Sequence, residues 1–240
     1  MGILFWTYWY SGNGRLLPAD PTQGDMMTAA PTPIPASPIG LKHVAFALLA
    51  AMAVFVLFQR DLQLINSDSP LRQRYAGISW LMLAHGIFGA LALLMAPFQF
   101  SSRLRERHLR VHRFMGRLYI LGVAVAAPVA IPVAVILGPP VLVMAATIQS
   151  VGWILTTATA LYCIRTGRIQ QHREWMMRSY PFAMVFVVAR VLLAIPAIER
   201  MGEVAFVSVV WSVIAVACFL PSFLIAWQAV RAAGSASARA

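Results

Sequence analysis

Two stretches of this chain combine residue types able to do chemistry. They are His112-Arg113-Phe114-Met115-Gly116-Arg117-Leu118-Tyr119 and His172-Arg173-Glu174-Trp175-Met176-Met177-Arg178-Ser179-Tyr180. Each His-Arg motif carries a second Arg five or six residues on and a Tyr two beyond it, and runs into an apolar segment. Neutral imidazole is a good ligand for haem iron, and two imidazoles from neighbouring helices can clamp a haem within a helical bundle. Arg113 and Arg173 then stand where guanidinium matches the carboxylates of the propionates, and Gly116 leaves room for the porphyrin face. The plainer alternative is anchoring, because His, Arg, Trp and Tyr populate the headgroup layer at helix ends. His108 and His43 fall at the same face without any such motif.

A second constellation comes from depth. His85, Gln149 and Arg190 each fall about eight residues inside the outer end of an apolar segment, roughly 12 Å below the surface at 1.5 Å per residue. An Arg at such a place costs about 2.5–3.5 kcal/mol on insertion scales, so it faces the bundle interior and finds a partner. If their helices face one another, the three form a polar cluster inside the membrane. Such a cluster would bind an anionic or carbonyl head such as a quinone, or relay protons. The alternative has Arg190 snorkelling outward and His85 bonded to a backbone carbonyl. The cluster and the His-Arg motifs are separated by about 15–18 Å along the membrane normal. One haem therefore cannot be shared by His85 and His112, and His85 needs another role.

Positioning these residues requires helices in lipid. The chain has 240 residues, 60% hydrophobic and 11% charged, with mean hydropathy +0.74. A soluble domain carries about 25% charged residues, so the composition belongs to a multi-pass membrane protein. Six segments approach the roughly 20 apolar residues that a span needs: 41–59, 77–97, 114–137, 141–163, 182–198 and 204–230. The expected fold class is all-α, a polytopic helical bundle, because lipid cannot satisfy an open backbone.

The net charge of +11 could suggest nucleic acid, but its distribution excludes that partner. Most of the Lys and Arg fall in the N-terminus, the 98–113 and 164–181 loops and the C-terminus, which share one side if there are six spans. The positive-inside rule then puts both termini in the cytoplasm, as expected of an inner-membrane protein. Cys163 and Cys218 sit in apolar segments without pairing or metal-ligand spacing and read as packing residues.

Residues 1–40 stand apart as a disordered, proline-rich extension. Phe5 to Tyr10 is too short to span, and six prolines between Pro18 and Pro38 keep the chain extended. Met26 or Met27 is an alternative start, which would make the aromatic stretch a gene-model artefact; otherwise it is an interfacial anchor. The transmembrane domain runs over 41–231 with its motif core at 77–195, and 232–240 reads as a disordered tail. Gly86 and Gly89 let a neighbouring helix or a flat ligand approach closely. Pro128 and Pro132 should kink the third span, and Gly138-Pro139-Pro140 should make a tight outer turn. Spans two and three, and four and five, repeat one layout: an inward helix, a basic loop, a His-Arg motif and an outward helix. The second copy has no histidine corresponding to His85.

The two His-Arg motifs, with Leu83-Ala84-His85-Gly86 upstream, resemble a bacterial family of predicted membrane proteins, domain of unknown function 2306. The resemblance covers about residues 77–195. It rests on His85, on His112, Arg113, Gly116, Arg117 and Tyr119, on His172, Arg173, Trp175, Met176, Arg178 and Tyr180, and on Arg190. It implies membership but no activity. More distantly, histidines on consecutive helices are similar to cytochrome b561 and ferric reductase-like membrane haem proteins, whose transmembrane electron transfer uses two haems on four histidines. Gln149 or Trp153 stands where a fourth-helix histidine would be expected.

The leading expectation is a haem-b protein of the electron-transfer class, a membrane oxidoreductase component if it is an enzyme. His112 and His172 would be axial ligands, a separate protein the electron donor, and the His85–Gln149–Arg190 cluster a quinone or proton site. The alternatives are a transporter or ligand- or proton-binding protein working through His85 and Arg190, and a structural partner whose His-Arg motifs only anchor helices. Lipid is the expected surrounding in every case, and nothing in the sequence specifies an oligomeric state. Gly-x-Ser-x-Gly, HExxH and phosphate-loop motifs are absent, which argues against a soluble hydrolase.

Overall fold

The computed structural model describes residues 62–237 except 67, with scattered residues between 47 and 58 ahead of them. The expectations for 1–40 and 238–240 lie outside the described residues, and so does most of the first span at 41–59. Among the described residues every regular element is a helix. In chain order these are α1 (Leu62–Ile65), α2 (Pro70–Arg74), α3 (Ser79–Gln99), α4 (Ser102–Arg107) and α5 (Leu109–Leu137). There follow α6 (Pro140–Arg165), α7 (Ile169–Leu193), α8 (Pro196–Glu199) and α9 (Gly202–Ser237). Helices α3, α5, α6, α7 and α9 are long and apolar enough to cross a membrane.

Local chemistry sets the helix boundaries, and four of them differ from expectation. Helix α5 starts at Leu109 and α7 at Ile169, so both His-Arg motifs are the opening turns of their helices rather than leads into them. Hydropathy places a span where side chains become apolar, but Arg, Gln, Glu and Met extend a helix readily. Helix α7 stops at Leu193 instead of 198, because Pro196 disfavours helical backbone at the residue before it. Ile195 is accordingly extended, with φ −74° and ψ 120°. Helix α9 continues to Ser237, through 232–237 where a disordered tail was expected. Within the expected outer loop at 60–76, Ser69 is at the turn into α2, its hydroxyl bonding the Gln63 carbonyl and accepting from Arg72 N–H at 3.0 Å.

The turns follow from their residues. Pro140 opens α6 behind an extended Pro139, where a missing N–H costs nothing. Helix α6 closes in a Schellman motif: Gly167, at φ +75°, bonds the Ile164 carbonyl and Arg168 N–H bonds Cys163 O at 2.8 Å. This reversal sends the chain into the His172 motif.

The two hairpins of the expected repeat, α3 with α5 and α6 with α7, are the most extensively packed helix pairs. Helix α5 also packs on α6, while α3 touches α7 only sparsely. The four therefore form a ring with α5 and α7 at opposite corners, and α9 lies against α7. The α3–α5 seam is built from small residues. A Cβ on Gly122 would stand 2.7 Å from the Phe88 carbonyl oxygen and 2.9 Å from Ala92 N, so the backbones meet there. Gly89 faces Ala126 across the same seam, the close approach that small side chains allow between membrane helices. Helix α5 remains continuous through Pro128 and Pro132.

Candidate functional site

His85 from α3, Gln149 from α6 and Arg190 from α7 line one cavity of about 90 Å³, together with Trp153, Phe182 and Phe186. Their offsets from the outer helix ends differ. His85 is six residues inside its helix, Gln149 nine and Arg190 three, or roughly 9, 14 and 5 Å from the outer helix ends. Arg190 is nearer its helix end than expected because α7 ends early. Its charge acts on His85.

Each of the other two polar groups is held by a backbone carbonyl. His85 Nδ1 bonds Ala126 O at 2.9 Å across the α3–α5 seam, and its ring meets Phe186 edge-on at 6.4 Å. Gln149 Nε2 donates to Phe182 O at 3.0 Å. Gln149 is 5% exposed, and its Oε1 is buried without a hydrogen-bond partner among the described residues. The α6 lining, Gln149 and Trp153, is buried, whereas Met82, Gly86, Ala90, Phe186 and Arg190 are half-buried. Among the described residues the cavity thus has α6 as its floor and opens along the thin α3–α7 seam. A larger hollow of about 550 Å³ at the α5–α6 turn is lined by apolar side chains and Thr147 and, among the described residues, brings no titratable side chain together.

Below the cavity floor lies a polar network that links α5, α6 and α7. Trp153 Nε1 donates to Tyr119 Oη at 3.0 Å. The Tyr119 and Ser179 hydroxyls are 2.7 Å apart, as are those of Ser179 and Thr157. Thr157 Oγ1 donates to the Trp153 carbonyl at 2.7 Å. The two ends fix every proton between them. A carbonyl only accepts, so the Thr157 proton is spent on Trp153 O, and Ser179 must donate to Thr157. Tyr119 must then donate to Ser179, while the indole N–H, which only donates, fills the Tyr119 lone pair. The loop closes on Trp153 with every hydroxyl donating once and accepting once. All four residues are buried. Of these, the sequence singled out Tyr119 as a motif residue and Trp153 as a substitute for a ligand, and it assigned no role to Thr157 or Ser179. The available signal was the i, i+4, i+8 spacing of Gln149, Trp153 and Thr157 on one face of α6.

His112 and His172 lie at the opposite end of the bundle. His172 Nδ1 bonds Ala160 O at 2.8 Å. His112 Nδ1 is buried without a partner among the described residues, and the ring lies within electrostatic reach of Arg105, His172, Arg113 and Arg173. Burial and the neighbouring Arg173 guanidinium hold Arg105 below the ordinary arginine value. The space beside Gly116 is taken by the Gln99 side chain. A Cβ there would stand 3.2 Å from Gln99 Oε1, and Gln99 Nε2 bonds the His112 carbonyl at 3.2 Å. Arg113 and Arg117 are exposed.

Arg178 stacks over Trp175 at 4.9 Å, lies 4.0 Å from Glu174 and bonds Ser222 Oγ at 3.3 Å, which ties α7 to α9. Tyr180 is buried with its ring 5.5 Å from Phe100, but its hydroxyl lacks a partner among the described residues, unlike that of Tyr119. The two His-Arg motifs are alike in sequence and unlike in bonding. Among the described residues no three His, Cys, Asp or Glu side chains gather as a metal site. Cys163 is buried and Cys218 partly so, both as free thiols.

Apolar helices of spanning length, joined by small-residue seams and carrying arginines at one end, define a multi-pass membrane protein. The chain belongs to the DUF2306 family of predicted membrane proteins, whose model matches residues 82–230. That range takes in both His-Arg motifs, the cavity and most of α9, extending past the motif core at 77–195. No curated protein and no solved structure matches the chain significantly.

Proposed function

We propose that this protein binds the polar head of a small or lipid-soluble ligand within the membrane, in the cavity of His85, Gln149 and Arg190. The observation that carries the reading is that three polar side chains from three different helices line one cavity. One of them is a cation close enough to act on His85. Such groups are expensive in a bilayer and are retained where they recognise something. The protein works as a multi-pass inner-membrane protein with both termini in the cytoplasm, beside the arginines of α4 and of the opening turns of α5 and α7.

The test is thermal unfolding of the detergent-purified protein against a panel of lipid-soluble compounds with hydroxyl, carbonyl and carboxylate heads. At a hundred times its Kd a ligand stabilises by about 2.7 kcal/mol, or roughly 5–10 °C for a protein of this size. That shift should vanish in Arg190→Leu and survive in Arg117→Gln, which alters an exposed residue at the far end of the bundle. A panel without any shift, or shifts unchanged in Arg190→Leu, refutes the cavity.

A second reading is favoured by His172. With Nδ1 held by the Ala160 carbonyl, its Nε2 is left as a lone pair, the arrangement that orients metal-ligating imidazoles. His112, with Nδ1 unpartnered, is the group to pair with it across the bundle, and Arg113 and Arg173 would meet propionates. A haem b held there supplies one-electron transfer, with a separate donor. The Gln99 side chain beside Gly116 weighs against it. A sharp b-type α-band in the reduced-minus-oxidised spectrum, lost in His172→Ala, would establish this reading. A flat spectrum from helical protein expressed with haem supply ends it.

A further inference from the structure

His85 and Gln149 each commit one nitrogen to a backbone carbonyl, and this fixes the chemistry left over for a ligand. Because Ala126 O only accepts, the His85 Nδ1 bonded to it at 2.9 Å carries the proton, and Nε2 of the neutral ring is an acceptor. Phe182 O likewise only accepts, so the amide nitrogen of Gln149 must face it at 3.0 Å, which fixes the amide orientation. Gln149 Oε1, buried and without a partner among the described residues, is the second acceptor. The third polar group, the Arg190 guanidinium, only donates. A carbonyl head, such as the quinone expected from the sequence, would set its lone pairs against those of His85 and Gln149.

We propose, on the basis that the cavity is a binding site, that it recognises a vicinal diol. One hydroxyl donates to His85 Nε2 and its neighbour to Gln149 Oε1, while an oxygen lone pair faces Arg190. The volume supports two hydroxyls on one edge. About 90 Å³ holds roughly three waters, and less than the ~150 Å³ of a cavity known to take a benzene ring. Only the hydroxylated edge of a ligand enters, and its apolar body lies along the α3–α7 seam beside Gly86 and Ala90. Two lipid-soluble sources carry this edge, the catechol ring and the glycerol head of a monoacylglycerol.

The experiment measures binding to the intact protein in lipid nanodiscs, under argon. The probes are a 4-alkylcatechol, its dimethyl ether, a monoacylglycerol and an alkylbenzoquinone. An unmet buried acceptor costs enough to lower affinity about tenfold or more. At least one diol should therefore bind tenfold or more tightly than the ether and the quinone, and whichever diol does so identifies the source. In Gln149→Leu the diol that binds should lose that advantage and fall to within a fewfold of the ether. The wild-type ether comparison needs no variant and stands even if Gln149→Leu misfolds. Quinone binding equal to or tighter than both diols, and lost in Arg190→Leu, overturns the diol and leaves the cavity. Absence of binding by all four probes overturns the diol as well, while the broader head-group panel decides the cavity.

Discussion

Removing the Tyr119 hydroxyl is the sharpest test of how the bundle is held together. Tyr119→Phe deletes two hydrogen bonds, the one received from Trp153 Nε1 at 3.0 Å and the one given to Ser179 at 2.7 Å. Because the bonds form a closed directional loop, the change strands an indole donor and leaves a Ser179 lone pair empty, both fully buried. A buried donor left unpaired costs about 1–3 kcal/mol, but hydrogen bonds between membrane helices average nearer 0.6 and reach about 1.7 kcal/mol. Two bonds on that lower scale put Tyr119→Phe at about 1–3 kcal/mol. Ser179→Ala also removes two bonds, one of them shared with Tyr119. The double variant should therefore be less destabilised than the sum of the singles by the worth of one bond, roughly 0.6–1.7 kcal/mol. Reversible unfolding in mixed micelles, followed by circular dichroism, measures all three. Tyr162→Phe, at an exposed site (58%) on α6, is the control and should stay within about 0.5 kcal/mol of wild type. Additivity of the two changes to within about 0.3 kcal/mol, or an unchanged Tyr119→Phe, would refute the closed loop.

Other perturbations probe the elements around it. Gly122→Ala drives a methyl group into the Phe88 carbonyl at 2.7 Å and Ala92 N at 2.9 Å; since backbone cannot step aside, the loss should be about 1–3 kcal/mol in the same unfolding assay. Because the His85–Ala126 bond crosses that seam, ligand stabilisation should weaken along with it. Gly167→Ala should cost about 1 kcal/mol, because its φ of +75° is disfavoured for a residue with a Cβ. Gly77→Ala, where nothing lies within 4 Å, should cost much less than either. A Gly77→Ala loss as large as that of Gly122→Ala would show that the packing argument at the seam is wrong.

Class, span count from α3 onward and the residues worth testing were legible in the sequence, because each rests on composition or on a local pattern. Lipid demands helices of about 20 apolar residues, and polar residues stand out within them. Thus His85, Gln149 and Arg190 could be named in advance, as could Gly89 and Tyr119. Helix ends were less legible, since hydropathy reports where lipid begins while capping and proline report where a helix stops; that is why Arg190 lies nearer its helix end than expected.

What only the tertiary structure decided is which groups each side chain spends. The sequence offered a backbone carbonyl for His85 but cannot say that it is Ala126 O, that Gln149 turns its nitrogen to Phe182 O, or that Gln99 fills the space beside Gly116. Nor can it say that Thr157 and Ser179 close a loop through Tyr119 and Trp153. These outcomes depend on helix rotation and on carbonyls brought near from other helices, and a backbone carbonyl carries no residue-type signature. In this protein the donors and acceptors left over once those carbonyls are satisfied determine what the cavity can bind.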